Sequence, residues 1–128
     1  MIKELKKLRY ENKFVTSEMS LKEIEFLIKH NPGMFREIFY ERRVNNIYLD
    51  SMGLGNYNEN VAGNAQRLKL RIRWYGKIFG LIKKPVLELK IKNNELGDKK
   101  SFPLKPFLFD KSFSYKQLKK IFLESNLP

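Results

Sequence analysis

Gln66-Arg67-Leu68-Lys69-Leu70-Arg71-Ile72-Arg73-Trp74-Tyr75 is the stretch from which the rest of the chain can be read. Basic residues stand at 67, 69, 71 and 73, and apolar residues at 68, 70, 72 and 74. Side chains alternate between the two sides of a strand, so this spacing predicts a strand with one cationic and one apolar face. A helix would scatter the same charges around its axis. Neighbours on one face of a strand lie roughly 7 Å apart. Like charges held in such a row repel each other. Solvent offsets part of that repulsion, and a bound polyanion or facing carboxylates offset more of it.

The pattern continues on either side. Val86-Leu87-Glu88-Leu89-Lys90-Ile91-Lys92 puts Leu87, Leu89 and Ile91 on one face and Glu88, Lys90 and Lys92 on the other. Residues 76–85, with Gly76, Gly80 and Pro85, are the predicted hairpin connection. Residues 93–98 form a second turn, and residues 99–104 a third strand that Pro103 assigns to an edge. With Phe102 and Leu104 on the apolar face, parity directs Lys99, rather than Lys100, to the charged one. Arg9, Glu11 and Lys13 alternate in a further predicted strand over residues 9–15, and residues 43–50 form another. A helix is predicted over residues 16–31, with a Ser20/Glu23 capping box and an apolar stripe of Leu21, Ile24, Leu27 and Ile28. Leu54, Tyr57 and Val61 suit a short helix, and Ser114 caps a last one bearing Leu118, Ile121 and Phe122.

Composition sets the limits of function. A chain of 128 residues with 42% hydrophobic residues is long enough for one folded domain, expected here over residues 1–128. Lys plus Arg is 26 and Asp plus Glu is 14, a net charge of +12. Most of that surplus sits between Arg67 and Lys100, where the acids are Glu88, Glu95 and Asp98. A surplus of this size marks a polyanionic partner. The absence of cysteine excludes disulfides, thiolate catalysis and Cys-based zinc sites, and the single His30 argues against a histidine-based triad. No apolar run is long enough for a transmembrane helix or a signal peptide. The expected location is the cytoplasm, or the cytosolic face of a membrane reached through a partner.

In this order, four pieces of the chain resemble the polyphosphate polymerase domain of the VTC (vacuolar transporter chaperone) family, within the triphosphate tunnel, CYTH-like superfamily. They are Arg9-Tyr10-Glu11-Asn12-Lys13-Phe14, Val44-Asn45-Asn46-Ile47-Tyr48-Leu49-Asp50, Leu70-Arg71-Ile72-Arg73-Trp74-Tyr75-Gly76 and Leu87-Glu88-Leu89-Lys90. The basic start near Gly97-Asp98-Lys99-Lys100-Ser101 also fits. The resemblance implies an α+β fold with flanking helices, in which an antiparallel sheet forms half of a tunnel barrel, or all of it by pairing. It covers about the first half of such a domain, and the chain ends before the family's later strands. A fragment, two paired copies and completion by another chain are the alternatives.

Carried over by position, the resemblance makes Lys13, Arg71, Arg73, Lys90 and Lys99 or Lys100 phosphate ligands. Arg67 and Lys69 are further candidates along the same strand. Glu11 falls on the second acid of the superfamily's Glu-x-Glu-x-Lys strand, and Arg9 replaces the first. Glu11 and Glu88 are therefore the candidate ligands for a divalent metal, Mn2+ or Mg2+. The implied activity is phosphoryl transfer between a nucleoside triphosphate and inorganic polyphosphate, or triphosphate hydrolysis. Such transfer needs charge neutralisation and positioning more than a covalent nucleophile, and Arg forks and mobile Lys charges supply both.

Each residue also has a plainer reading. The basic strand face is equally the solvated side of a sheet, and Glu88 with Lys90 a cross-strand ion pair worth about 0.5 kcal/mol. Trp74 alternates onto the apolar face and reads as core. Asp50 caps the turn that follows it. The rival function is a non-catalytic polyanion- or nucleic-acid-binding module, which needs aromatic rings among the basic residues for stacking.

Overall fold

The computed structural model describes residues 9–10, 12–94 and 96–128. These divide into two compact units, residues 12–42 and residues 43–128 together with the first strand.

The larger unit is α+β. Its main sheet contains β1 (Arg9–Tyr10), β2 (Val44–Leu49), β3 (Gln66–Tyr75), β5 (Val86–Asn93) and β6 (Leu96–Pro103). Within the β3–β5 connection lies β4 (Gly80–Ile82), which joins β7 (Phe107–Phe109) in a small second sheet. The main sheet is antiparallel in the order β1-β6-β5-β3-β2. It is open: β2 and β1 are its outermost strands among the described residues, and it does not close into a barrel. The connection predicted as a plain hairpin thus contributes a strand of its own.

The apolar side of the predicted alternation is the core. Ile72 is 0% exposed, and Trp74, Ile82, Leu87, Leu104, Phe107 and Ile121 are buried with it. Full burial of an aliphatic side chain stabilises by about 1.5–3 kcal/mol. Trp74 lies on the apolar face as its parity requires, edge-on to Phe107 and Phe109 with ring centroids 6.2 and 5.3 Å away. Its indole N–H donates to the Lys77 carbonyl at 3.0 Å, so the buried polar atom is satisfied. Helix α3 (Tyr115–Glu124) closes this side with Ile121, flanked by Leu118 and Phe122. It begins where Ser114 N–H donates to Gln117 Oε1 at 2.7 Å.

Gly76 (φ +98°) ends β3 in a conformation that L side chains rarely adopt. Buried Asn45 holds the turn, its Nδ2 donating to the Gly76 carbonyl at 3.0 Å. At the other end of β3, the register of β2 stops at Leu49↔Leu70, so residues 66–69 run past it. Helix α2 (Gly55–Val61) packs against β3. Asp50 organises this corner: its Oδ1 accepts from Ser51 N–H (2.7 Å) and Asn56 N–H (3.0 Å), and its Oδ2 accepts from Tyr57 N–H (3.0 Å). This is the capping role read from the sequence, extended to the first turn of α2.

The smaller unit holds α1 (Leu21–Lys29). Ser20 forms the predicted capping box, with Glu23 N–H donating to its Oγ (3.3 Å) and its own N–H donating to Glu23 Oε2 (2.7 Å). That cap starts the helix at Leu21 rather than at residue 16. His30 is the C-cap, with Nδ1 2.8 Å from the Phe26 carbonyl. The strand predicted over 9–15 is described only at Arg9–Tyr10, and residues 12–16 take no regular structure.

Candidate functional site

Antiparallel register converts the alternating sequences into rungs across the sheet. Strands lie about 4.8 Å apart, and residues directly opposite share a face. Lys69 stands opposite Lys90, and Lys90 opposite Lys99, so three lysines form one rung across β3, β5 and β6. The next rung is Tyr48, Arg71, Glu88 and Ser101. Beyond it come Asn46, Arg73 and Val86, and on the far side of the lysine rung lie Arg67 and Lys92. Glu88 is the acid among the described residues of β3, β5 and β6 on this face.

Glu88 is only 5% exposed although it lies on the polar side of the sheet. Arg71 covers it, Nε donating to Oε2 at 2.8 Å. Arg73 Nε stands 3.7 Å from the same oxygen, and Lys99 Nζ donates to Oε1 at 3.3 Å. One carboxylate therefore gathers three cations from two strands. Burial opposes its ionisation, but the hydrogen bond from Arg71, the charges of Arg73 and Lys99, and the bond from Lys99 outweigh burial and hold its pKa below the ordinary value. Arg71 loses by burial too, yet its bonds to Tyr48 and Glu88 raise its pKa further. Arg71 Nη1 reaches Tyr48 Oη at 3.4 Å, and that bond leads the influences that lower the tyrosine's pKa. Arg73 Nε donates to Asn46 Oδ1 at 2.9 Å. These contacts fix the two guanidinium planes, which limits the entropy lost on gripping an anion.

Of the candidates read from the sequence, Arg71, Arg73, Lys90 and Lys99 come together here, and Lys69 joins them in the lysine rung. Arg67 lies at the end of the row, its Nη1 donating to Asn60 Oδ1 at 3.3 Å. Lys100 pairs with Leu89 and has the opposite parity, so Lys99 is the member of that pair on the basic face. Lys13 is an exposed residue of the smaller unit, outside any strand. Glu11 lies outside the described residues. Asn46 and Lys92 belong to the face but were not among the candidates. Lys92 was legible from the period-2 pattern, whereas Asn46 needed the β2–β3 register.

Of the two candidate metal ligands, Glu11 lies outside the described residues and Glu88 is engaged by cations. Both oxygens of Glu88 face cations, and no group of three or more His, Cys, Asp or Glu gathers among the described residues. Metal sites of this kind need several free oxygen ligands. No helix among the described residues is long and apolar enough to cross a membrane.

An open antiparallel sheet with one apolar face under a helix and one face rich in cations makes this an α+β domain with a basic sheet face. A family model described as the VTC domain matches residues 8–126. The chain belongs to the VTC domain family. No curated protein and no solved structure matches it.

Proposed function

We propose that the basic face of the sheet binds the phosphates of a nucleoside triphosphate or of inorganic polyphosphate. On this reading it is the polyphosphate polymerase-like half of a tunnel. Phosphoryl transfer follows when further strands, from the rest of a longer chain, a second copy or another chain, complete the lining. The lysine rung carries the reading. Like charges directly opposite on adjacent strands destabilise a sheet; Glu88 offsets Lys99, and a chain of phosphates matches the repeated positive charge along the rung and the row. VTC family membership supports the same chemistry.

Arg71 and Arg73 serve as forks for phosphate oxygens, preset by Glu88, Tyr48 and Asn46. Lys69, Lys90 and Lys99 add mobile charges that follow the ligand along the face. Calorimetric titration with tripolyphosphate tests this. The chain binds, and Arg71→Ala/Arg73→Ala weakens binding at least tenfold; affinity equal to wild type in the double variant contradicts the site.

One observation favours a second reading. Tyr48 and Tyr75, both exposed, share the basic face by parity, as a single-stranded nucleic-acid platform requires. Binding of an oligonucleotide with a steep salt dependence, undisturbed by excess tripolyphosphate, selects that reading. Displacement by tripolyphosphate selects the first.

A further inference from the structure

The segment Lys77-Ile78-Phe79-Gly80-Leu81-Ile82-Lys83-Lys84 lies outside the basic face and builds a second surface. Its middle, β4, pairs with β7 so that Leu81 stands opposite Leu108 and Ile82 opposite Phe107. Side chains alternate between the two sides of such a pair. Ile82 and Phe107 are buried in the core, and Leu81 and Leu108 are left on the outer side, 61% and 56% exposed. Phe79 stacks on Phe109 with ring centroids 5.6 Å apart, yet stays 54% exposed, and Ile78 is exposed as well. Lys77, Lys83 and Lys84 line one open groove of about 660 Å³ together with Phe79 and Leu81. No acid occurs from Gly76 to Leu87 or from Lys99 to Phe109. The small sheet thus turns one apolar side to the core and another to solvent, with lysines along the groove.

From this arrangement we infer that the outer side of the β4–β7 sheet seats in the headgroup layer of an anionic lipid surface. Large apolar side chains clustered in solvent mark an interaction surface. Three features choose its occupant. Leucine, isoleucine and phenylalanine suit the acyl boundary, whereas aliphatic side chains give a nucleic acid nothing to stack on. The cations of the groove are all lysines, which protein–protein interfaces deplete. At a lipid boundary a lysine lays its stem along apolar surface and lifts its charge to the headgroups. The lack of acids in both segments leaves their charge uniformly positive, the complement of an anionic leaflet. Arg71, Arg73 and the lysine rung take no part, so the inference stands apart from the phosphate-binding reading.

The test is co-sedimentation of the full chain with vesicles of phosphatidylcholine alone and of phosphatidylcholine mixed with phosphatidylserine. The wild type is expected to partition onto the mixed vesicles and to leave the neutral ones bare. Leu81→Ser/Leu108→Ser lowers that partitioning about tenfold or more through lost apolar burial, and Lys83→Gln/Lys84→Gln about tenfold through lost attraction. All four side chains are exposed, so the core is untouched, and the buried Trp74 reports an unchanged unfolding transition by its fluorescence. Partitioning equal to wild type in both variants overturns the lipid site. So does partitioning that only Arg71→Ala/Arg73→Ala abolishes, which moves the contact to the basic sheet face. A wild-type chain that ignores both vesicles overturns it too, and self-association lost in Leu81→Ser/Leu108→Ser then assigns the surface to a second copy.

Discussion

Arg71 Nε and Glu88 Oε2 lie 2.8 Å apart, on a sheet face where every other ionic neighbour of that carboxylate in the described residues is a further cation. The acid stabilises the crowded cations, and the cations keep the acid ionised despite its burial. The arrangement explains how Arg71 and Arg73 are tolerated side by side on one strand face. It also makes Glu88 a positioning residue for the two arginines.

Glu88 gives the chain an acid-sensitive element with a definite sign. Its carboxyl ionises below the ordinary value of 4.5 when folded. Between that lowered value and 4.5, the unfolded chain holds more protons, so stability falls as pH falls. Above about pH 4.5 the contribution is fully present. Glu88→Gln removes this part of the acid slope and costs about 2 kcal/mol at neutral pH, the scale of lost charged hydrogen bonds. Asp50, Asp110 and Glu23, shifted in the same direction, leave both proteins a residual slope. Urea denaturation across pH 3–7, wild type against variant, checks the difference; parallel curves contradict it.

Lys69 faces Lys90 directly across β3 and β5. Lys69→Gln relieves that repulsion and is expected to raise stability by about 0.5 kcal/mol without ligand. The same change weakens tripolyphosphate binding. Denaturation and titration on one preparation reveal the trade, and a variant unchanged in both shows that the rung carries no strain for a ligand to relieve.

Ile72, fully buried between the strands and α3, is the centre of the core. Ile72→Ala is expected to cost about 3 kcal/mol through lost burial and the cavity left behind. Trp74 is the sole tryptophan and is buried beside Phe107 and Phe109. Its fluorescence follows the unfolding. A loss below about 1 kcal/mol would place the core elsewhere.

Asp50→Ala removes the acceptors for three backbone amides. Hydrogen exchange is expected to speed up at Asn56 and Tyr57 while the amide of Ile72 keeps its protection. Equal protection in both proteins contradicts the capping role.

What could be read in advance was whatever period and parity alone determine. The face of Arg71, the burial of Trp74, the choice of Lys99 over Lys100 and the Ser20/Glu23 cap all follow from residues close in the chain. The pairing of Gly80–Ile82 with Phe107–Phe109 was not legible, since strands of three residues carry no measurable period and the partner is distant. Residues 12–15, the end of the strand read over 9–15, take no regular structure: the alternation of Arg9, Glu11 and Lys13 does not continue through Phe14 and Val15. The sign of Glu88 was visible. Its three cationic neighbours depend on two registers and on side-chain reach, which no single segment encodes.

Mapping the backbone amide resonances that move on adding tripolyphosphate tests the central claim most directly. The account predicts that shifts concentrate on β3, β5 and β6 around Lys69, Arg71, Glu88, Lys90 and Lys99, and vanish in Arg71→Ala/Arg73→Ala. Shifts confined to the exposed lysines of α3 and its flanks, such as Lys111, Lys116 and Lys119, with β3 unmoved, contradict it.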